Sequence, residues 1–240
     1  MQDRYAGDIG DYGKFAMLRA LASRGLAVGV NWYRIETLPQ ELSINDGGKL
    51  IPDRLFPCDP ELAHALRAIS LSPERSVREL EEAELIPGAS YYSVTTPVEE
   101  RRKWHDDALS ELAKAEVVFL DPDNGLLVKS VGRGSARSPK YTFYDEVADY
   151  VARGQSVIVY NHRSRQKPEA YFDEKLKGLV AAAPQADGIT VITFPKGSVR
   201  DYFAVGATPA YAAMIQDVFD GLVKGPWGKA GMCRLQPLPL

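Results

Sequence analysis

From residue 117 to residue 205, short apolar runs alternate with stretches of helical period. Val117–Leu120 is a run of four apolar residues, as expected of a strand buried on both faces. A helix is predicted from about Phe143 to Ala152, then a strand at Ser156–Tyr160, a helix at about 168–182 and a strand at Ile189–Phe194. Strands alternating with helices imply a mostly parallel sheet with helices on both faces. The last pair departs from that rule. Pro195–Arg200 is a loop of six residues, and a parallel crossover needs about a dozen or more. Ile189–Phe194 and Asp201–Val205 are therefore expected to be antiparallel, with a closing helix over about Pro209–Val223.

The first half fits the same scheme more loosely. Phe15, Leu18 and Leu21 give an apolar face to a helix from about Asp11 to Ser23, and Gly25 is a plausible stop. Ala27–Ile35 reads as a first strand. Leu38–Pro60 carries turn residues and reads as loop. Helices are expected at about 60–70 and 74–85, and a short strand at Tyr91–Thr95. Pro97 suits the first position of a charged helix reaching about Ala115. The fold class is thus α/β: a Rossmann-like, mostly parallel sheet closed by a C-terminal antiparallel strand. That is the arrangement of the S-adenosylmethionine-dependent methyltransferase fold, an analogy of fold and not yet of activity. The chain is expected to be a single domain over 1–240, with a helical insertion at about 39–96.

Bulk properties exclude several classes. The 29 basic and 32 acidic residues give a net charge of -3, which argues against wholesale nucleic-acid binding but leaves room for a local basic patch. Cys58 and Cys233 have no metal-ligand spacing, so a reducing compartment is the default. No stretch approaches the roughly 18 apolar residues of a membrane span. Met1-Gln2-Asp3-Arg4-Tyr5 does not open a signal peptide. A cytoplasmic protein is expected, its oligomeric state not readable.

Open parallel sheets bind ligands outside the carboxyl ends of their strands. Two such ends carry concentrated polar chemistry. The first is Asp121-Pro122-Asp123-Asn124-Gly125, where Gly125 permits positive φ and an Asp can accept from an amine or ligate a hard cation. The same residue types build any tight turn, so both readings stand. The second is Asn161-His162-Arg163-Ser164-Arg165. His162 suits a base or hydrogen-bond donor, and Arg163 and Arg165 suit phosphate. Capping by Asn161 beside solvated arginines is the plain alternative. A third cluster, Asp8-Ile9-Gly10-Asp11-Tyr12-Gly13-Lys14, opens a helix. One Asp suffices as N-cap, and the start of a helix also suits anions. Asn45-Asp46-Gly47-Gly48 is turn-like but also suits contact with a ribose. Lys140-Tyr141 is placed to orient a substrate. His64 and His105 read as solvated or locally bonded, and Trp32, Tyr33, Tyr91 and Tyr92 as core.

These blocks bring a resemblance. The stretches Asp3–Phe15, Phe119–Gly125 and Lys140–Glu146 resemble a bacterial family known by such blocks rather than by an activity, over most of the chain. More distantly, the layout is similar to the methyltransferases that modify the exocyclic amine of an adenine in large-subunit ribosomal RNA. Their Ala-Gly-x-x-x-Asp-x-x-Lys block matches Ala6, Gly7, Asp11 and Lys14 in order and spacing. Asp121-Pro122 matches the first half of their Asp-Pro-Pro-Tyr motif, and Lys140-Tyr141 resembles the Lys, or the helix carrying Tyr, that those enzymes place soon after the motif. The resemblance implies that Asp121 accepts from the target amine and that Lys14 lies at the cleft. Two departures stand beside it. Asp123-Asn124 replaces Pro-Tyr, and Arg34–Pro39 lacks the glycine-rich loop that the family sets against its cofactor.

Three functions compete at this stage. The first is an S-adenosylmethionine-dependent, methyltransferase-like protein acting on an amine of RNA or DNA. In it Asp121, Asp123, Asn124 and Lys14 are catalytic, and Asp8, Asp11, Asp46 and Asn161 bind the nucleoside cofactor. His162, Arg163, Arg165 and Tyr141 bind substrate. The second is a Mg²⁺-dependent phosphohydrolase or nuclease using Asp121 and Asp123, since Val117–Gly125 also looks like the Asp-x-Asp-Gly-Thr strand end of haloacid-dehalogenase-type phosphatases. The third is a binding module that keeps a degenerate, non-catalytic site. If Asp121 is a site residue, Asp121→Asn is expected to remove function with little loss of stability.

Overall fold

The computed structural model describes residues 1–36 and 48–237. Helix α1 (Ile9–Ala22) precedes strand β1 (Val28–Asn31). Helices α2 (Pro60–Leu71) and α3 (Val77–Glu82) lead to β2 (Ser90–Tyr92), and α4 (Arg101–Glu111) leads to β3 (Val117–Leu120). Beyond β3, β4 (Gly125–Leu126) and β5 (Tyr141–Thr142) pair with each other in parallel. The chain continues through α5 (Tyr144–Ala152), β6 (Ser156–His162), α6 (Pro168–Ala182), β7 (Gly188–Phe194) and β8 (Arg200–Gly206). Helices α7 (Pro209–Lys224) and α8 (Pro226–Lys229) and strand β9 (Arg234–Leu235) complete the described residues.

The main sheet runs β2-β1-β3-β6-β8-β7-β9. Strands β2, β1, β3 and β6 are parallel neighbours. The hairpin β7–β8 is antiparallel, as its short loop requires, and folds back so that β8 lies between β6 and β7. The α/β, Rossmann-like class with its C-terminal antiparallel strand is therefore the observed one. Among the described residues, no helix is long and apolar enough to cross a membrane.

Alternation along the strands makes two cores. Val117, Phe119, Ile158, Tyr202 and Ala204 face one side, with α1 (Phe15, Leu18) and α7 (Val218, Phe219). Val118, Leu120, Val157, Val159 and Phe203 face the other, with α4 (Trp104), α5 (Tyr150) and α6 (Phe172). Each of these buried large side chains contributes about 1.5–3 kcal/mol relative to exposure. Both faces of β3 are thus covered, which is why its sequence is apolar throughout rather than alternating.

One expectation is corrected and another narrowed. The helix expected to start at Pro97 begins at Arg101, because Glu100 takes a left-handed conformation (φ 51°) that breaks helical geometry. Arg101 is then fixed by Glu146, its Nε donating to Oε1 at 2.6 Å. Of the two readings of His105, solvated or locally bonded, the first is excluded: the ring is 1% exposed, edge-on against Tyr150, with Nε2 3.2 Å from Asp149 Oδ2. In the region expected as a helical insertion, α2 packs beside α1, while β2 joins the main sheet beside β1.

The sheet order sets where a ligand would sit. From β1 the chain moves to β2 on one side, and from β3 to β6 on the other. The switch point, where such sheets open a crevice, therefore lies between the carboxyl ends of β1 and β3.

Candidate active site

Three segments converge on that crevice: the start of α1, the tip of β3 and the loop before β8. Asp8 caps α1, accepting from the Gly10 N–H at 2.6 Å and the Asp11 N–H at 3.0 Å. Asp11 does different work, accepting from the Gly7 N–H at 2.8 Å. One turn later Lys14 projects inward and donates to Asp11 Oδ1 at 2.6 Å and to Asp121 Oδ2 at 2.7 Å. The carboxyl end of β3 holds Asp121 there, with its N–H bonded to the Asn31 carbonyl of β1 at 2.9 Å. Burial pulls the Lys14 pKa down, but the Asp11 and Asp121 carboxylates push it further up, so the ammonium stays charged. Burial raises the Asp8 carboxyl, and nearby Asp11 adds to the rise.

The amino end of the chain fills the switch point itself. The Met1 ammonium donates at 3.0 Å to the carbonyls of Trp32, Tyr33 and Asp121, and stands 3.1 Å from Asp123 Oδ1. The Gln2 carboxamide donates to the other Asp123 oxygen. Beside it opens a cleft of about 710 Å³, lined by Asp8, Asp11, Lys14, Asp121, Asp123, Asn124 and His162 among others. Arg200, the first residue of β8, reaches in from that strand end, held by the carbonyls of Lys196 and Ser198 in the preceding loop and lying 3.7 Å from Asp8. A side chain at Gly10 would run into the Arg200 guanidinium, so that glycine lets the two segments close.

Asn161 and Tyr141 line a second, smaller cavity that shares Asn124 and His162 with the cleft. The Asn161 carboxamide is fully committed. It accepts from the Leu126 N–H at 2.7 Å and donates to the His162 carbonyl and the Tyr171 hydroxyl. It therefore clamps β4 onto the end of β6. Gly125 has φ 112° and passes so close to Asn161 that a Cβ would collide with the carboxamide. Asn124, by contrast, has no side-chain partner among the described residues. Burial lowers the His162 pKa, and Arg200 lowers it further.

Asp8, Asp11, Lys14, Asp121, Asp123, Asn124, Lys140 and His162, singled out in the sequence in four separate motifs, thus meet at one cleft. The two arginines do not join them. Arg163 is committed to Asp201, its Nε donating to Oδ2 at 2.8 Å, and lies over the Phe172 ring. Arg165 is exposed and lines neither cavity. Asp46 lies outside the described residues. Sequence reasoning missed Arg200, Tyr160 and Lys49, which line the cleft, and Lys175, which lines the smaller cavity. The position of Arg200 at the start of a strand that folds back toward β6 was the available signal.

The four carboxylates are not arranged as a bare cation site. Lys14 stands between Asp11 and Asp121, and the Met1 ammonium stands against Asp123. Among the described residues, no group of three or more His, Cys, Asp or Glu side chains is disposed to hold a metal ion. No protein-family model matches the chain, and no curated protein matches it either.

Proposed function

We propose that the protein is an S-adenosylmethionine-dependent methyltransferase acting on an amine of a nucleic acid. The observation that supports this most is the placement of Asp121-Pro122-Asp123-Asn124 at the end of β3, lining a large cleft beside the switch point of a methyltransferase-like sheet. About 710 Å³ lies within the roughly 300–1,000 Å³ that suits ligands of this size. The donor set also fits. S-adenosylmethionine carries an ammonium, a carboxylate and ribose hydroxyls, and Asp8, Arg200 and Lys49 offer partners of both signs. These residues, around the start of α1 and the 197–200 loop, would hold it, because the Trp32 and Tyr33 carbonyls at the tip of β1 already accept from Met1.

When bound, the cofactor supplies an electrophilic methyl group. The chain supplies the orientation of the nucleophile. Asp121 Oδ2 is held by Lys14, leaving Oδ1 to accept one N–H of the amine. The Asn124 carboxamide accepts or donates beside it, so the nitrogen lone pair is turned toward the cleft. Burial raises the Asp121 carboxyl above its usual range against the pull of Lys14. That makes it a better acceptor for the proton the amine gives up.

A Mg²⁺-dependent phosphohydrolase draws less from this site, since the metal would have to displace Lys14 or the Met1 ammonium from the carboxylates it needs. Calorimetric titration with S-adenosylmethionine, with and without Mg²⁺, separates the two. Micromolar binding independent of metal is the expected result. Heat on adding Mg²⁺, with none on adding the nucleoside, would overturn the reading in favour of phosphoryl chemistry.

A further inference from the structure

The second cavity has a volume of about 200 Å³. That is below the range for drug-sized ligands and suits one flat ring rather than a whole nucleotide. Leu126, Val128 and the Tyr141 ring supply apolar lining, while Asn124, His162, Glu174 and Lys175 supply polar groups. Lys175 is 3% exposed. Its ammonium donates to the Leu126 carbonyl at 3.3 Å and stands 3.5 Å from the Glu174 carboxylate. Both distances are long for a charged donor, and an ammonium has three N–H groups to satisfy. Burial pulls its pKa down, the direction expected where close partners are lacking.

The charges inside nearly cancel. Lys175 faces Glu174, and His162 is kept toward its neutral form by burial and Arg200. A free anion gains little in such a site. An uncharged heterocycle that carries a ring acceptor beside an N–H donor matches Lys175 and Glu174 together. Asn124 and His162 line both cavities, so a ring seated in the smaller one presents an edge to the cleft. Outside, the exposed cations Lys129, Arg165 and Lys167 adjoin the lining residues Val128, Ser164 and Gln166 in sequence. None has an ion-pair partner among the described residues. Such cations would offer partners to phosphates flanking the ring, contacts that position a strand without reading it.

We propose that the smaller cavity receives a single unpaired nucleobase of a polynucleotide strand, with Lys175 donating to a ring acceptor and Asn124 turning the base edge toward the cleft. A base inside a duplex is closed off by its partner and its stacked neighbours, so it must be swung out or already single-stranded. This inference rests on the methyl-transfer reading for its chemistry, but its binding test is independent of that reading.

The test is fluorescence anisotropy of labelled twelve-nucleotide RNAs (homopolymers of A, C and U, and a mixed sequence) against a fully paired duplex of the mixed sequence. The expected result is at least tenfold tighter binding of a single strand than of the duplex. Lys175→Met should weaken it at least fivefold, and Lys177→Met should not, since Lys177 is exposed and pairs with Asp173 on the same helix. If Lys175→Met melts early, Asn124→Ala serves in its place. Equal affinity for strand and duplex, no binding to any strand, or equal effects of the Lys175 and Lys177 variants would overturn the proposal. So would displacement of the strand by free nucleosides at equal base concentration. Calorimetry with S-adenosylmethionine on the parent protein keeps the two readings apart. Cofactor binding without discrimination between strand and duplex sinks this inference alone. Strand discrimination without cofactor binding sinks the methyl-transfer reading alone.

Discussion

The Lys14 ammonium and the Asp121 carboxylate meet at 2.7 Å across 107 residues of sequence, both nearly sealed from solvent. Lys14 also holds Asp11, so one cation serves two buried carboxylates. Removing it leaves both without their counter-charge in a medium that solvates them poorly. Lys14→Met should therefore lower the unfolding free energy by about 3–5 kcal/mol, the usual cost of breaking a buried pair by deleting one partner. Chemical denaturation of the variant against the parent protein checks this. A loss below about 1 kcal/mol would show that the carboxylates reach water without Lys14.

The same geometry revises what Asp121→Asn should do. Read as a plain site residue, Asp121 is dispensable for stability. Its Oδ2 is instead the second partner of Lys14. The amide keeps the shape and can still accept from the ammonium, and Asp11 remains in place. The variant should lose about 1–3 kcal/mol, less than Lys14→Met, together with any methyl transfer. Melting curves of the two variants measured side by side give the order.

The contrast shows what the sequence carried. The strand of four apolar residues ending at Leu120, the capping of α1 by one of Asp8 and Asp11 and the antiparallel hairpin were legible, because each comes from local period, turn chemistry or loop length; that Asp8 is the cap, with the helix starting at Ile9, was not. The convergence of Asp8, Lys14 and Asp121 was legible only as separate motifs, since nothing local says that residues 14 and 121 touch. Arg163 shows the opposite failure. A guanidinium at a strand tip reads as a phosphate ligand, but the antiparallel β8 brings Asp201 beside it, and the pair satisfies itself. Lys175 was invisible because a lysine in an amphipathic helix is ordinarily solvated, and only the fold of β4 over α6 buries it.

Gly125 is the tightest point of the site. Its φ of 112° is costly for any residue with a Cβ, and that Cβ would strike the Asn161 carboxamide. Gly125→Ala should destabilise by about 2–4 kcal/mol through backbone strain and displacement of the clamp. Thermal melts and amide exchange at Leu126, whose N–H bonds to Asn161, report the two effects separately.

His105 should make stability fall toward acid pH. Burial, opposed by Glu146 and Asp149, holds its pKa below the ordinary value. The unfolded chain then binds the proton more readily than the folded one. The contribution is complete above about pH 6.5, the unfolded value, and is lost as pH drops through the lower folded value, by at most about 1.4 kcal/mol per pH unit. Asp8, whose pKa is raised, acts in the opposite sense, so the informative quantity is a difference. The stability gap between the parent protein and His105→Phe should shift in the variant's favour between pH 7 and pH 5. A gap that is constant over this window would mean that His105 titrates normally.

Asn124 gives the cleanest separation of function from fold. Its backbone N–H bonds the Lys140 carbonyl at 2.9 Å and helps set the turn after β3, a contact any residue can make. Its carboxamide has no partner among the described residues and lines both cavities. Asn124→Ala therefore removes no protein hydrogen bond, and its effect on stability should stay within about 0.5 kcal/mol. If the carboxamide orients the amine, methyl transfer to a single-stranded RNA should fall by about 10²-fold, as loss of one positioning contact does, while S-adenosylmethionine still binds. The fall should appear in kcat as well as KM, because the group fixes the approach of the nitrogen rather than merely holding the strand. Transfer of labelled methyl from the cofactor to the RNA, measured at saturating strand, is the decisive assay. Unchanged turnover would remove Asn124 from the chemistry and leave Asp121 alone to orient the amine.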